Sequence, residues 1–92
     1  MSAFMLYYVY IIESKKRGRF YIGQTNNISD RLYRHNNKEN LSTKSDAPWK
    51  LVHLEKFKTR TGALKRENHL KSIKNRNYLK KIIYTKYRGV EK

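Results

Sequence analysis

The chain has no cysteine, one proline, four glycines and only seven acidic residues among its 92. Without thiols, neither a disulfide framework nor a thiolate zinc site can hold the fold, and nothing calls for an oxidising compartment; a cytoplasmic location is expected. The longest apolar-rich run, "FMLYYVYII" at 4–12, is too short to span a bilayer and lacks the basic leader and small-residue cleavage site of a signal peptide. It reads as a buried strand, and no membrane partner is expected. No repeat, low-complexity tract or linker interrupts the chain, so 1–92 is read as a single domain, able to bury about 60 % of its unfolded surface in one modest core.

What is abundant is positive charge. Lys and Arg total 22 against seven Asp and Glu, for a formal net charge of +15. Such a field favours polyanions, because each phosphate neutralised by Lys or Arg releases condensed counterions. The basic residues run through strongly patterned segments instead of forming a tail or one basic amphipathic helix. That distribution favours nucleic acid over acidic lipid as the partner.

The patterning gives an element order. Phe4 to Ile12 is aromatic and β-branched, the composition of a strand packed on both faces. The polar "ESKKRGR" follows, with Gly18 free to take positive φ, and "FYIGQT" resumes strand character, which predicts an antiparallel hairpin. In "NNISDRLYRHNN", Asn26 or Asn27 can cap a helix with Ile28 and Leu32 on one face, ending near His35. Residues 36–48 read as a loop closed by Pro48. "WKLVHLEKF" alternates as a third strand. "TRTGALKRENHLKSIK" predicts a helix capped by Thr59 or Thr61, with Ala63, Leu64, Leu70 and Ile73 as its apolar stripe. "NRNYLKKIIYTKY" predicts a third helix with Leu79, Ile82 and Ile83 facing inward. The expected fold class is α+β, a three-stranded antiparallel sheet flanked by three helices.

Several polar residues stand out against this frame. Arg31 and His35 are one helical turn apart and share a face; solvated surface is the ordinary explanation, but the strand before them supplies Tyr21 and Gly23. Glu67 falls on or beside an apolar stripe, where a carboxylate is costly unless paired or bound to a cation. Either a salt bridge to a nearby Lys or Arg, or a one-carboxylate site for a hard divalent ion completed by water and phosphate, would account for it. Of the eight tyrosines, most suit amphipathic packing. Tyr10 and Tyr21 differ in lying on two adjacent strands, where matched parity would turn both hydroxyls toward Arg31 and His35. Lys44 and Lys50 are candidate phosphate contacts. Trp49 reads as a core or sheet-edge aromatic, and His53 and His69 lack partners spaced for a metal site.

Together "YVY" at 8–10, "YIG" at 21–23, the Arg31 and His35 pair, "STK", "PWKLV" and Glu67 resemble the GIY-YIG nuclease superfamily, in particular its small single-domain, excision-nuclease-like bacterial members. The likeness runs from about Leu6 to Ile83. It implies a metal-dependent endonuclease that hydrolyses phosphodiester bonds of DNA, branched or damaged forms included, with one Mg²⁺ or Mn²⁺ ion and no small-molecule cofactor. By the resemblance, Tyr10 acts as general base, helped by His35, and Tyr21 opens the second triplet. Gly23 permits close backbone approach, Arg31 holds the scissile phosphate, and Glu67 binds the ion. The chemistry is coherent: a tyrosine of pKa about 10 needs a neighbour to lose its proton, and a guanidinium fork matches two phosphate oxygens. Tyr8 and Val9 depart from the glycine and isoleucine of the family's first triplet. A late asparagine found in many members has Asn75 and Asn77 in its region, neither at a matching spacing. The alternative function is a nucleic-acid-binding module with little or no catalysis of its own.

Overall fold

The computed structural model describes residues 5–37 and 43–87. Strand β1 (Tyr7–Ser14) lies between β2 (Phe20–Thr25) and β3 (Trp49–Phe57), antiparallel to both, giving the sheet order β2-β1-β3. Helix α1 (Ile28–Asn36) follows β2, a short 3-10 turn (Lys44–Asp46) precedes β3, and α2 (Arg60–Ser72) and α3 (Arg76–Tyr87) follow it. This is the expected α+β architecture. The expected first residue of β1, Phe4, and Ser42 of "STK" lie outside the described residues.

The central position of β1 explains its nearly unbroken apolar run, since both of its faces are covered. Val9 and Ile11 pack with Ile22, Ala63, Leu70 and Leu79 under α2 and α3. Tyr10 and Ile12 pack with Trp49 on the opposite face, where Ile28 and Leu32 of α1 close over them. The register slips between Ile11, which faces His53, and Ile12, which faces Leu51. That irregularity turns Leu51 and Leu54, three residues apart, into the same cluster, which strict alternation would forbid.

Local signals act where the sequence places them. Gly18 takes φ 73° in the β1–β2 turn, Asn27 caps α1 by accepting from Asp30 N at 3.0 Å, and Thr59 caps α2 by accepting from Gly62 N at 3.1 Å. One expectation needs correcting. Leu64 is 46 % exposed and does not belong to the buried stripe of α2, which consists of Ala63, Glu67 and Leu70. The reason is angular: on a helix, positions 63, 67 and 70 fall on one line, and 64 is rotated off it.

The segment before β3 is held by polar contacts. Asp46, 2 % exposed, pairs with Arg17 at 3.1 Å and Arg19 at 2.9 Å, and Ser14 Oγ donates to its carbonyl at 2.6 Å. Asn36, the last residue of α1, donates from Nδ2 to the Trp49 carbonyl and accepts from the Trp49 amide, as a neighbouring strand would. The 43–48 segment is thereby fixed against both the hairpin turn and the end of α1.

Candidate active site

Tyr10 and Gly23 are directly opposite each other in the β1–β2 ladder. A Cβ built on Gly23 would lie 2.5 Å from Tyr10 Oη and 2.7 Å from Cζ, so the phenol ring occupies the space that any other residue would fill. Here the missing side chain serves a close approach: it lets Tyr10 lie across β2 and reach the cleft beyond. The cleft, about 320 Å³, is lined by Tyr10, Tyr21, Gly23, Gln24, Thr25, Asn26, Arg31, Arg60 and Glu67.

The Tyr10 side chain is fully buried, and its Oη lies 3.1 Å from His35 Nε2. Tyr21, two residues from Gly23 and on the same face, packs its ring 5.0 Å from that of His35 and 6.4 Å from that of Tyr10. His35 is also fully buried, and its Nδ1 lies 2.8 Å from Thr43 Oγ1. Trp49 Nε1 donates to the Thr43 carbonyl at 3.0 Å, so the 43–48 segment holds Thr43 in place against the ring.

These surroundings set the protonation states. Burial, reinforced by the adjacent Tyr21, pushes Tyr10 up to about 12, while the Arg31 guanidinium pulls the other way by charge and hydrogen bond. Burial, together with the charge of Arg31, lowers His35 below its ordinary 6.5. At neutral pH the pair is a protonated phenol facing an uncharged imidazole. An uncharged ring satisfies both of its contacts with one donor and one acceptor nitrogen.

Glu67, 9 % exposed, reaches the cleft from α2, and its Oε2 pairs with Lys71 Nζ at 2.7 Å. Of the two accounts the sequence allows for this carboxylate, the salt bridge is present, to a half-exposed Lys71. Gln24 lines the same cleft, and its Oε1 is buried without a hydrogen-bond partner. One carboxylate, an orphaned amide oxygen and phenolic oxygens form an all-oxygen donor set that fits a hard divalent cation. Among the described residues no three His, Cys, Asp or Glu cluster as metal ligands, so such an ion would take most of its ligands from water and phosphate.

Five residues singled out in the sequence thus converge: Tyr10, Tyr21, Gly23, Arg31 and Glu67 line one cleft, with His35 directly behind Tyr10. Lys44 and Lys50 do not line it; Lys50 borders two other depressions, with Glu13. Asn75 and Asn77, at the start of α3, are also absent from its wall, and Asn75 caps that helix by accepting from Tyr78 N at 3.1 Å. Sequence reasoning missed Thr43 and Arg60. The first was visible only as the centre of "STK", and the second as a basic residue after a helix cap. It also missed the partner of His53, whose Nε2 bonds Glu55 at 2.7 Å, with Arg66 bidentate to the same carboxylate at 2.9 and 3.0 Å. The i, i+2 spacing on one strand face was the available signal.

Residues 6–82 match the family described as the GIY-YIG catalytic domain. The chain is 38 % identical over 77 residues to a UPF0213 protein of Staphylococcus saprophyticus, covering 83 % of this chain and 93 % of that protein. It is 42 % identical over 77 residues to a UPF0213 protein of Syntrophus aciditrophicus, covering 82 % and 87 %. The solution NMR structure of a UPF0213 protein from Bacillus halodurans superposes with a TM-score of 0.58 at 29 % identity, covering 89 % of this chain and 86 % of that one. Among the described residues, no helix is long and apolar enough to cross a membrane.

Proposed function

Because the chain belongs to the GIY-YIG catalytic-domain family, we propose that it is a DNA endonuclease in which Tyr10 activates the attacking water at the cleft formed with Tyr21, Arg31 and Glu67. The observation that carries this reading is the contact of Tyr10 Oη with the uncharged, buried His35 at the head of that cleft.

A phenol that holds its proton up to about 12 cannot act as a base unaided. The neighbouring imidazole resolves this. With Nδ1–H donating to Thr43 Oγ1, Nε2 accepts the Tyr10 hydroxyl proton, and Tyr10 Oη takes a proton from water as the water oxygen attacks phosphorus. One P–O bond forms and the bond to the leaving oxygen breaks; that oxygen departs with the bonding electron pair as an alkoxide and takes a proton from solvent, while His35 returns its own proton to solvent to complete the cycle. The lowered pKa of His35 keeps the acceptor nitrogen unprotonated at neutral pH. Arg31 holds two non-bridging oxygens and balances charge that grows in the transition state. Tyr21 completes the aromatic wall that keeps His35 dry. Glu67, with the side-chain Oε1 of Gln24 in the same cleft, would hold one Mg²⁺ or Mn²⁺, which when bound supplies positive charge to the phosphate and its leaving oxygen. The net charge of +15 supports a polyanionic substrate.

The test is nicking of supercoiled plasmid and of branched DNA in Mg²⁺ by wild type, Tyr10→Phe and Glu67→Ala. Wild type should cut and both variants should lose at least about 100-fold, in keeping with the loss of a general base or a metal ligand. Equal, near-zero cutting by all three, with binding retained, would leave a nucleic-acid-binding module in place of an enzyme.

A further inference from the structure

We propose that Arg60 is a second phosphate-binding residue of the cleft, contacting a backbone phosphate adjacent to the one held by Arg31 and so fixing the path of the strand. This inference rests on the nucleic-acid reading above and adds to it a residue that no motif marks.

Of the seven arginines among the described residues, five are engaged by carboxylates. Arg17 and Arg19 pair with Asp46, Arg34 with Asp30, Arg66 with Glu55 and Arg76 with Glu13. The two without such a partner, Arg31 and Arg60, both line the candidate cleft. The carboxylate within the cleft does not neutralise Arg60 either, since the ion pair of Glu67 is with Lys71. In a folded protein, an arginine kept free of carboxylates inside a cleft is available for an anion from outside.

Arg60 is also held in place. Its guanidinium lies over the Tyr7 ring, 4.9 Å from the centroid, and Tyr7 packs against the apolar cluster under α2 and α3. Stacking through the face fixes the plane of the group and leaves its edge N–H donors for ligand oxygens. Arg31 comes from α1, packed on the Tyr10 face of the sheet, whereas Arg60 comes from α2, packed on the Val9 face. Two cations delivered from opposite sides of one cleft suit consecutive phosphates of a strand better than a single isolated phosphate.

The experiment measures binding of a fluorescein-labelled DNA duplex by anisotropy in EDTA across a salt series, for wild type, Arg60→Gln, Arg60→Lys and Arg34→Gln. For Arg60→Gln, the slope of log K against log salt should become shallower by about 0.9, the value for one lost phosphate contact, while Arg60→Lys should keep the wild-type slope. Arg34→Gln, at an arginine already paired with Asp30, should leave the slope unchanged. A role confined to stacking on Tyr7 would lower the melting temperature of Arg60→Gln without moving the slope. An unchanged slope, with wild type still binding and cutting, overturns the role of Arg60 and leaves the nuclease reading intact. A shallower slope in a protein that binds without cutting supports Arg60 and removes the nuclease. Absence of salt-dependent binding by wild type overturns both.

Discussion

Replacing Gly23 by alanine adds one methyl group and should disturb both stability and chemistry. The new Cβ would sit 2.5 Å from Tyr10 Oη and 2.7 Å from Cζ, against ordinary van der Waals contacts of 3.4–4 Å. The ring has little room to retreat, because Tyr10 is fully buried and its neighbours Tyr21 and His35 pack at centroid distances of 6.4 and 5.9 Å. Overpacking of this kind costs about 1–3 kcal/mol, and displacing Oη from His35 Nε2 adds about 1 kcal/mol. A total of about 2–4 kcal/mol corresponds to a fall in melting temperature of at least about 10 °C for a domain of this size. Urea or thermal denaturation of Gly23→Ala measures this directly. Combining it with Tyr10→Phe removes the Oη overlap but keeps the one at Cζ, so the two changes should couple by about 1 kcal/mol in the direction of relief. A Gly23→Ala protein that melts within a degree or two of wild type, or strictly additive single changes, would refute the close approach on which the placement of Tyr10 depends.

Cleavage should fall on the acid side as His35 takes up a proton, with a midpoint below the ordinary histidine value of 6.5, readable from the pH–rate profile and from an NMR titration of the ring. The same group affects stability with a definite sign: its folded pKa is depressed, so its contribution is present above the unfolded value and is lost as pH falls below it. Glu55 behaves likewise. Burial alone would raise it, but hydrogen bonds from His53 and Arg66 outweigh that and hold it at about 2, against 4.5 unperturbed. That difference amounts to roughly 3 kcal/mol above pH 4.5, lost between there and pH 2, so the urea-unfolding gap between wild type and Glu55→Gln should shrink on going from pH 7 to pH 3. Bound Mn²⁺, followed by electron paramagnetic resonance, should be lost in Glu67→Gln and tightened several-fold in Lys71→Met, which frees Oε2 from its 2.7 Å ion pair; unchanged binding in both would remove Glu67 as the ligand.

Much of the fold is legible in the sequence because it depends on short-range rules. Alternating and continuous apolar runs mark the strands, Gly18 marks the turn, and the Asn26/Asn27 and Thr59/Thr61 pairs mark the helix starts, of which Asn27 and Thr59 are the caps; each of these acts within a few residues of itself. The two-residue repeat of a strand allows Tyr10 and Tyr21 to share a face, but it is the register setting Tyr10 opposite Gly23 that puts them there. Glu67 betrays itself as a carboxylate on an apolar line.

Tertiary structure alone decided the rest. Whether Arg31 and His35 were surface or site depended on what α1 packs against, and the sheet answers differently for each: His35 is sealed behind Tyr10, whereas Arg31 opens to the cleft. The partner that fixes the His35 ring, Thr43, sits in a segment with no periodic signal, held by Asp46 against two arginines of the distant hairpin turn and by Asn36 gripping Trp49. Arg60 is one basic residue among many in the sequence; only the fold pairs five other arginines with carboxylates and leaves Arg60 in the cleft without one. Residue types and their spacing therefore determined which elements form and which side chains could carry chemistry. Long-range packing decided which of those chains are dry, which are paired, and which are left facing the same cleft, because burial and charge pairing depend on neighbours distant in sequence.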